Sequence, residues 1–151
     1  MPFSTKNSEP HPHLPSGPWE GFYLQYGEQG PMKLDLNFQN GQVRGHGSDP
    51  VGPFTFNGTY DLDTMRLTMT KVYATHDIEY AGSIDENGIW GTWRIGYSAD
   101  MGVSREYFEA IRHYMPPGVD SGGFHIWPAA EEREATEEMV EAVERLLVEA
   151  R

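Results

Sequence analysis

The sequence predicts an all-β protein: an antiparallel, up-and-down barrel of eight strands, with a short helical insertion before the last strand and a helix at the C-terminus. Three observations carry this. From Trp19 onward, apolar and polar residues alternate in short runs, Gly, Asn and Asp break those runs, and no helical periodicity separates the first seven. A sheet with one apolar and one polar face must bury the apolar side. With no helix between strands to cover it, the sheet is expected to curl on itself. The chain of 151 residues suffices for one domain, and aromatic residues at 13% supply large rings for its core.

Residues 1–18 hold five prolines and few apolar side chains, so a flexible arm is expected. Its His11 and His13 are a polar tail before they are a metal site, and no metal ligand is assigned. Strands follow at 19–26, 32–39, 42–46, 54–61, 65–73, 76–84, 89–97 and 123–127. Asn40-Gly41 is a strong two-residue hairpin signal, and 61–64 and 85–88 read as tight turns. Alternation puts Met32, Leu34, Leu36 and Phe38 on one face, with Lys33, Asp35 and Asn37 on the other. Phe54, Phe56, Gly58 and Tyr60 likewise oppose Thr55, Asn57, Thr59 and Asp61, while Met65, Leu67 and Met69 oppose Arg66, Thr68 and Thr70. The glycine-rich stretch 45–52 reads as a turn, because a strand follows it where a phosphate loop needs a helix, and Asp49 is expected to edge the pocket mouth.

Within the connection 98–122, Ser104 is the expected N-cap of a helix whose apolar stripe is Tyr107, Phe108, Ile111 and Met115; this segment is a lid or a plug over one end. Residues 129–151 form a second helix with Ala135, Met139, Val143, Leu146 and Ala150 on one side. It carries eight Glu and three Arg and is expected to pack outside the barrel. The domain reading is therefore an arm (1–18), a barrel (19–128) and an acidic amphipathic helix (129–151).

The strand number and order resemble the calycin superfamily of lipocalin, fatty-acid-binding and avidin-like barrels. Gly17-Pro18-Trp19 resembles the G-x-W that opens lipocalins, where the Trp plugs the barrel base, and Gly91-Thr92-Trp93 is similar to the G-T-W repeats of the avidin family. Where lipocalins carry T-D-Y, this chain has Gly58-Thr59-Tyr60-Asp61. The resemblance implies a closed barrel holding a small, largely apolar ligand.

The segment 71–80 carries the most chemistry. Extending the inward face by twos places Lys71 and Tyr73 inside, and on the next strand His76, Ile78 and Tyr80, with Asp77 and Glu79 outward. If the hairpin turns at Ala74-Thr75, Lys71, Tyr73, His76 and Tyr80 meet near one end of the barrel. Polar groups inside an apolar barrel are costly unless they bond each other or a ligand, and buried Lys and His are expected to titrate low.

The leading reading is binding of a small hydrophobic or aromatic molecule. Lys71, Tyr73, His76 and Tyr80 would be its polar contacts, Phe54, Phe56, Met69 and Trp93 its walls, and Phe108 would reach in from the insertion. The first alternative is a cofactor-independent isomerase, cyclase or lyase, with His76 or Lys71 as base and Tyr73 or Tyr80 as donor to a developing oxyanion. The second is an interaction module acting through the C-terminal helix. His46, His76, His113 and His125 are widely spread and lack metal-ligand spacing.

Eleven basic against 23 acidic residues give a net charge of −12, which disfavours nucleic acid and anionic membrane surfaces as partners. Cysteine is absent, so thiolate chemistry and disulfides are excluded. No secretory signal is read at the start, and a cytoplasmic place is expected. No cofactor is assigned, and homo-oligomer formation is left open.

Overall fold

The structure, a computed structural model, describes residues 11–74, 76–98, 101–114, 120–131 and 134–149. Eight strands close into one antiparallel barrel in sequence order: β1 (Gly17–Gln25), β2 (Glu28–Gln39), β3 (Gln42–Asp49), β4 (Gly52–Asp61), β5 (Arg66–Val72), β6 (Asp77–Asp85), β7 (Gly88–Ile95) and β8 (Ser121–Pro128). Helix α1 (Arg105–Arg112) lies in the connection before β8, and α2 (Glu137–Glu149) follows the barrel. β1 pairs with β8 from Trp19↔Pro128 to Tyr23↔Phe124, so the barrel has no free edge.

Asn40 and Gly41 both take positive φ (53° and 79°), as the two-residue hairpin requires. Tyr26 and Gly27 (53° and 78°) make an equivalent turn that the sequence conceals, because tyrosine rarely adopts this conformation. β2 therefore begins four residues before the expected start at Met32, and it carries Pro31 opposite Phe22 of β1. Pro31 lacks an N–H, and β3 reaches only as far as Leu34, so no ladder bond is lost there.

The larger departure is β3. The stretch 45–52, read as a turn, continues as strand through Asp49, and only Pro50 and Val51 make the bend. Its glycines serve the barrel interior. A Cβ on Gly47 would sit 2.7 Å from the Phe54 ring, and one on Gly45 2.7 Å from Leu36 Cδ2. They are small because neighbouring side chains lie across them, and the period of two then turns Asp49 inward with Val43.

Two apolar clusters divide the protein. The first fills the barrel with Trp19, Met32, Leu34, Leu36, Phe38, Val43, Phe54, Phe56, Leu67, Met69, Tyr80, Trp93, Phe124 and Ile126 among others. One end is stoppered by residues from the stretch expected as an arm. Leu14 is buried there, the Trp19 indole donates to the Pro15 carbonyl (2.8 Å), and Ser16 Oγ accepts the Phe38 N–H (3.0 Å). The burial of Leu14 and Trp19 ties residues 11–18 to the barrel; residues 1–10 lie outside the described residues.

The second cluster is outside. Phe22, Leu24 and Trp127 point away from the lumen and, with Trp90, receive Ala135, Met139, Val140 and Val143, so α2 packs over β8 and β7 and reaches the outward side chains of β1. Thr136 Oγ1 accepts the Met139 N–H (3.2 Å), capping the helix later than residue 129. Gly123 permits this approach, since a Cβ there would meet the Val143 side chain at 2.7 Å.

α1 is shorter than the expected insertion. Ser104 caps it as expected, accepting the Tyr107 N–H (3.1 Å), but Tyr107 is exposed and Met115 lies outside the described residues. The helix is latched by Arg112, which donates to Asp120 (3.3 Å), Glu109 (3.2 Å) and the Ile95 carbonyl and lies over the Phe108 ring. No helix among the described residues is long and apolar enough to cross a membrane.

Candidate functional site

In an up-and-down barrel, alternate turns share an end. The Trp19 end is filled. At the other end the bends after β1, β3, β5 and β7 come together, and the last inward residues of β3 and β5 meet the first inward residues of β6 there. β3 contributes Asp49, β5 contributes Lys71 and leads to Tyr73, and β6 contributes Tyr80. The β5–β6 bend is held by the Tyr73 N–H donating to the His76 carbonyl (2.9 Å); Thr75 lies outside the described residues.

Lys71 Nζ donates to Asp49 Oδ2 at 2.9 Å, with 3% and 6% of the two side chains exposed. The Tyr73 hydroxyl donates to the same oxygen. Asp49 Oδ1 accepts the backbone N–H groups of Val51 (2.9 Å) and Gly52 (3.3 Å), so the carboxylate that pairs with Lys71 also folds the β3–β4 bend. Each carboxylate oxygen thus has two donors.

Four rings surround the ammonium group. Nζ lies 4.2 Å from the Phe54 centroid, 5.0 Å from Tyr73, 5.8 Å from Tyr80 and 5.9 Å from Phe56. The rings brace one another edge-to-face from Tyr73 through Phe54, Phe56 and Tyr80 to Phe124. Negative π faces around an ammonium offset part of what it loses by leaving water. His76 is half-buried and stacks on Tyr73 at 4.8 Å.

Burial dominates the titration of this cluster. It pushes Lys71 below the ordinary lysine value, against the opposing hydrogen bond and charge of Asp49. For Asp49 burial pulls upward, but the hydrogen bonds from Tyr73 and Lys71, the lysine charge and the Val51 N–H together hold it below the usual carboxylate value. Burial raises both Tyr73 and Tyr80, and the Asp49 charge raises them further, so both phenols stay protonated well past their usual range.

The expected site residues separate into three groups. Lys71, Tyr73, Tyr80, Phe54 and Phe56 are in mutual contact, with His76 at the margin. Met69 and Trp93 line the same interior on either side of Tyr80 in the sheet, and the Trp93 indole donates across Gly122 to the Leu24 carbonyl (3.1 Å). Phe108 is elsewhere: it packs on Tyr97 (5.7 Å) beneath Arg112 on α1. The α1 stripe that suggested a lid is short, and Arg112 holds it beside the barrel rather than inside it.

Asp49 is the residue that sequence reasoning left at the margin. Counting by twos from Val43 reaches it, but the glycines between hide the strand. Of the other histidines, His46 is exposed, and His125 lies on the outer face with Nε2 hydrogen-bonded to the Asn87 carbonyl (2.8 Å).

A second concavity, about 930 Å³, lies on the barrel's outside. Its floor is the outward polar row Asn57, Thr59, Thr68, Thr70, Thr92 and Arg94, walled by α1 and the end of α2. Its ion pairs, Arg94 with Glu79 and Arg112 with Glu109 and Asp120, lie along its floor and walls.

No protein-family model, no curated protein and no solved structure matches this chain.

Proposed function

We propose that this chain is a calycin-like barrel that binds a small apolar or aromatic molecule at its Lys71 end, without a cofactor. The observation that carries the reading is the buried Lys71–Asp49–Tyr73 set inside an aromatic box, beneath the end of the barrel that Trp19 does not fill. Replacing a buried ion pair by well-packed apolar residues is commonly neutral or stabilising, so packing alone gives little reason to hold one in a barrel core. A site that must orient a ligand by a few polar contacts among rings gives such a reason. Phe54, Phe56, Met69, Tyr80 and Trp93 are the walls in this reading, and Lys71 and the phenols are the anchors. The absence of cysteine fits work in the reducing cytoplasm.

One observation favours a second, catalytic reading on the same residues: the depressed Lys71 beside phenols that stay protonated suits proton transfer with Lys71 as base and Tyr80 as donor. The reading of the tail as a docking helix draws no support, because the apolar side of α2 already lies on Phe22, Leu24 and Trp127.

Native mass spectrometry of the freshly purified chain tests the main reading. The expected result is an extra small organic mass that leaves on denaturation and is lost from a Lys71→Met/Tyr80→Phe variant that remains folded. A bare chain mass, or an adduct indifferent to that variant, counts against it.

A further inference from the structure

Resting on the binding reading above, the hydrogen-bond accounting of the cluster identifies the chemistry of the ligand's polar end. Asp49 is saturated: Oδ1 takes the Val51 and Gly52 N–H groups, and Oδ2 takes Lys71 and Tyr73. The Tyr73 hydrogen is committed to that carboxylate. What remains is donor capacity. Lys71 carries three N–H groups and makes one hydrogen bond among the described residues, to Asp49. Tyr80, 3% exposed, has ring contacts with Phe56 and Phe124, while its hydroxyl has no hydrogen-bond partner among the described residues. Its ring lies 5.8 Å from Lys71 Nζ. Among the described residues of the cluster, the acceptors left are phenolic oxygens, those of Tyr73 and Tyr80 and that of Tyr23, which lies close enough to act on both.

Charge narrows the class further. The Lys71–Asp49 pair is neutral as a unit, and the chain as a whole carries −12. An incoming carboxylate would add an uncompensated negative charge inside the barrel, where desolvation penalises it most. A neutral oxygen acceptor satisfies the spare donors without that cost.

We infer that the ligand is an apolar or aromatic molecule bearing a neutral carbonyl, whose oxygen accepts hydrogen bonds from Lys71 and from the Tyr80 hydroxyl. Neither donor needs to leave its present partner to do so. The rings of Phe54 and Phe56 then face the carbon skeleton beside the carbonyl.

Three probes that share a phenyl body test this on the full chain by ligand-observed NMR titration: acetophenone, ethylbenzene and benzoate. The expected result is that acetophenone binds more tightly than ethylbenzene by about thirtyfold or more, the effect of one neutral and one charge-assisted hydrogen bond. Tyr80→Phe, which keeps the ring, is expected to weaken acetophenone about three- to tenfold and leave ethylbenzene unchanged, the Lys71 bond keeping acetophenone the tighter of the two, with thermal melting confirming the fold. Equal binding of acetophenone and ethylbenzene would overturn the carbonyl assignment while leaving the binding reading intact. Benzoate binding most tightly would overturn it in favour of an anionic head. Binding of none of the three would overturn the inference together with the reading on which it rests.

Discussion

Consider removing the two charges of the buried pair, one at a time and together. Lys71→Met keeps most of the side chain's apolar length among Phe54, Phe56 and Tyr80 but leaves Asp49, 6% exposed, facing Tyr73 alone. Breaking a buried pair from one side costs about 3–5 kcal/mol, because the abandoned charge remains desolvated. Asp49→Asn retains an oxygen for the Val51 and Gly52 N–H groups and abandons Lys71 instead; a cost of about 3 kcal/mol is expected, limited by the ease with which a buried lysine loses its proton. The double variant abandons no charge. It is expected to be more stable than Lys71→Met, with a coupling energy of about 2–3 kcal/mol. The assay is urea unfolding at pH 7, followed by the fluorescence of the four tryptophans. Acid supplies an internal check. Asp49 has a folded pKa below its unfolded 3.8, so its contribution is present above 3.8 and is lost as pH falls through the folded value. The gap between wild type and Lys71→Met therefore narrows in acid. Additive single costs, or a gap that widens in acid, would refute the reasoning.

Other expectations follow from the same geometry. Tyr73 and Tyr80 have folded pKa values raised above the ordinary 10.0, so the stability they confer is present below pH 10 and is lost as pH rises toward the folded values. Tyr80→Phe is expected to weaken alkaline unfolding, whereas an unchanged alkaline limb would contradict the burial of its hydroxyl. Val143 is fully buried between α2 and the barrel, and Val143→Ala is expected to cost about 1–3 kcal/mol in urea unfolding. Gly123→Ala drives a Cβ to 2.7 Å from both Cβ and Cγ2 of Val143, so it is expected to destabilise, and Val143→Ala, which keeps the Cβ, is expected to recover only a minor part of that loss. Deleting 137–149 exposes Phe22, Leu24 and Trp127, and is expected to produce strong binding of a hydrophobic dye or outright unfolding; a compact, dye-silent barrel would contradict a structural role for α2.

Much of the fold was legible because a barrel declares itself locally. The alternation from Met32 to Phe38 and from Phe54 to Tyr60 is set by a lumen on one side and water on the other, and each run reports its own face. Asn40-Gly41 announced its turn, whereas Tyr26-Gly27 did not, because a tyrosine in the left-handed region is held there by the closing strands rather than by its own preference. The Lys71, Tyr73 and Tyr80 placement followed from parity alone. Asp49 did not, since a strand whose inward positions are glycine lacks the apolar signal that marks a strand. The inward glycines become intelligible only once Phe54 and Leu36 are seen lying across them. Arg112 was illegible for a different reason. Its partners Asp120 and the Ile95 carbonyl stand at opposite ends of the long β7–β8 connection, and no local pattern encodes that meeting. Phe22 and Leu24 break the inward alternation of β1 because a second apolar surface, α2, waits outside.

The central claim is that small apolar carbonyl compounds meet this chain inside the barrel, at the Lys71 end. A backbone amide shift map of the full chain titrated with acetophenone tests it most directly. The account calls for shifts concentrated at residues 48–54, 71–74 and 78–80, where Asp49, Lys71 and Tyr80 converge. Shifts confined to the outer groove around Thr68, Thr70, Thr92 and Arg94, or no shifts at all, would contradict it.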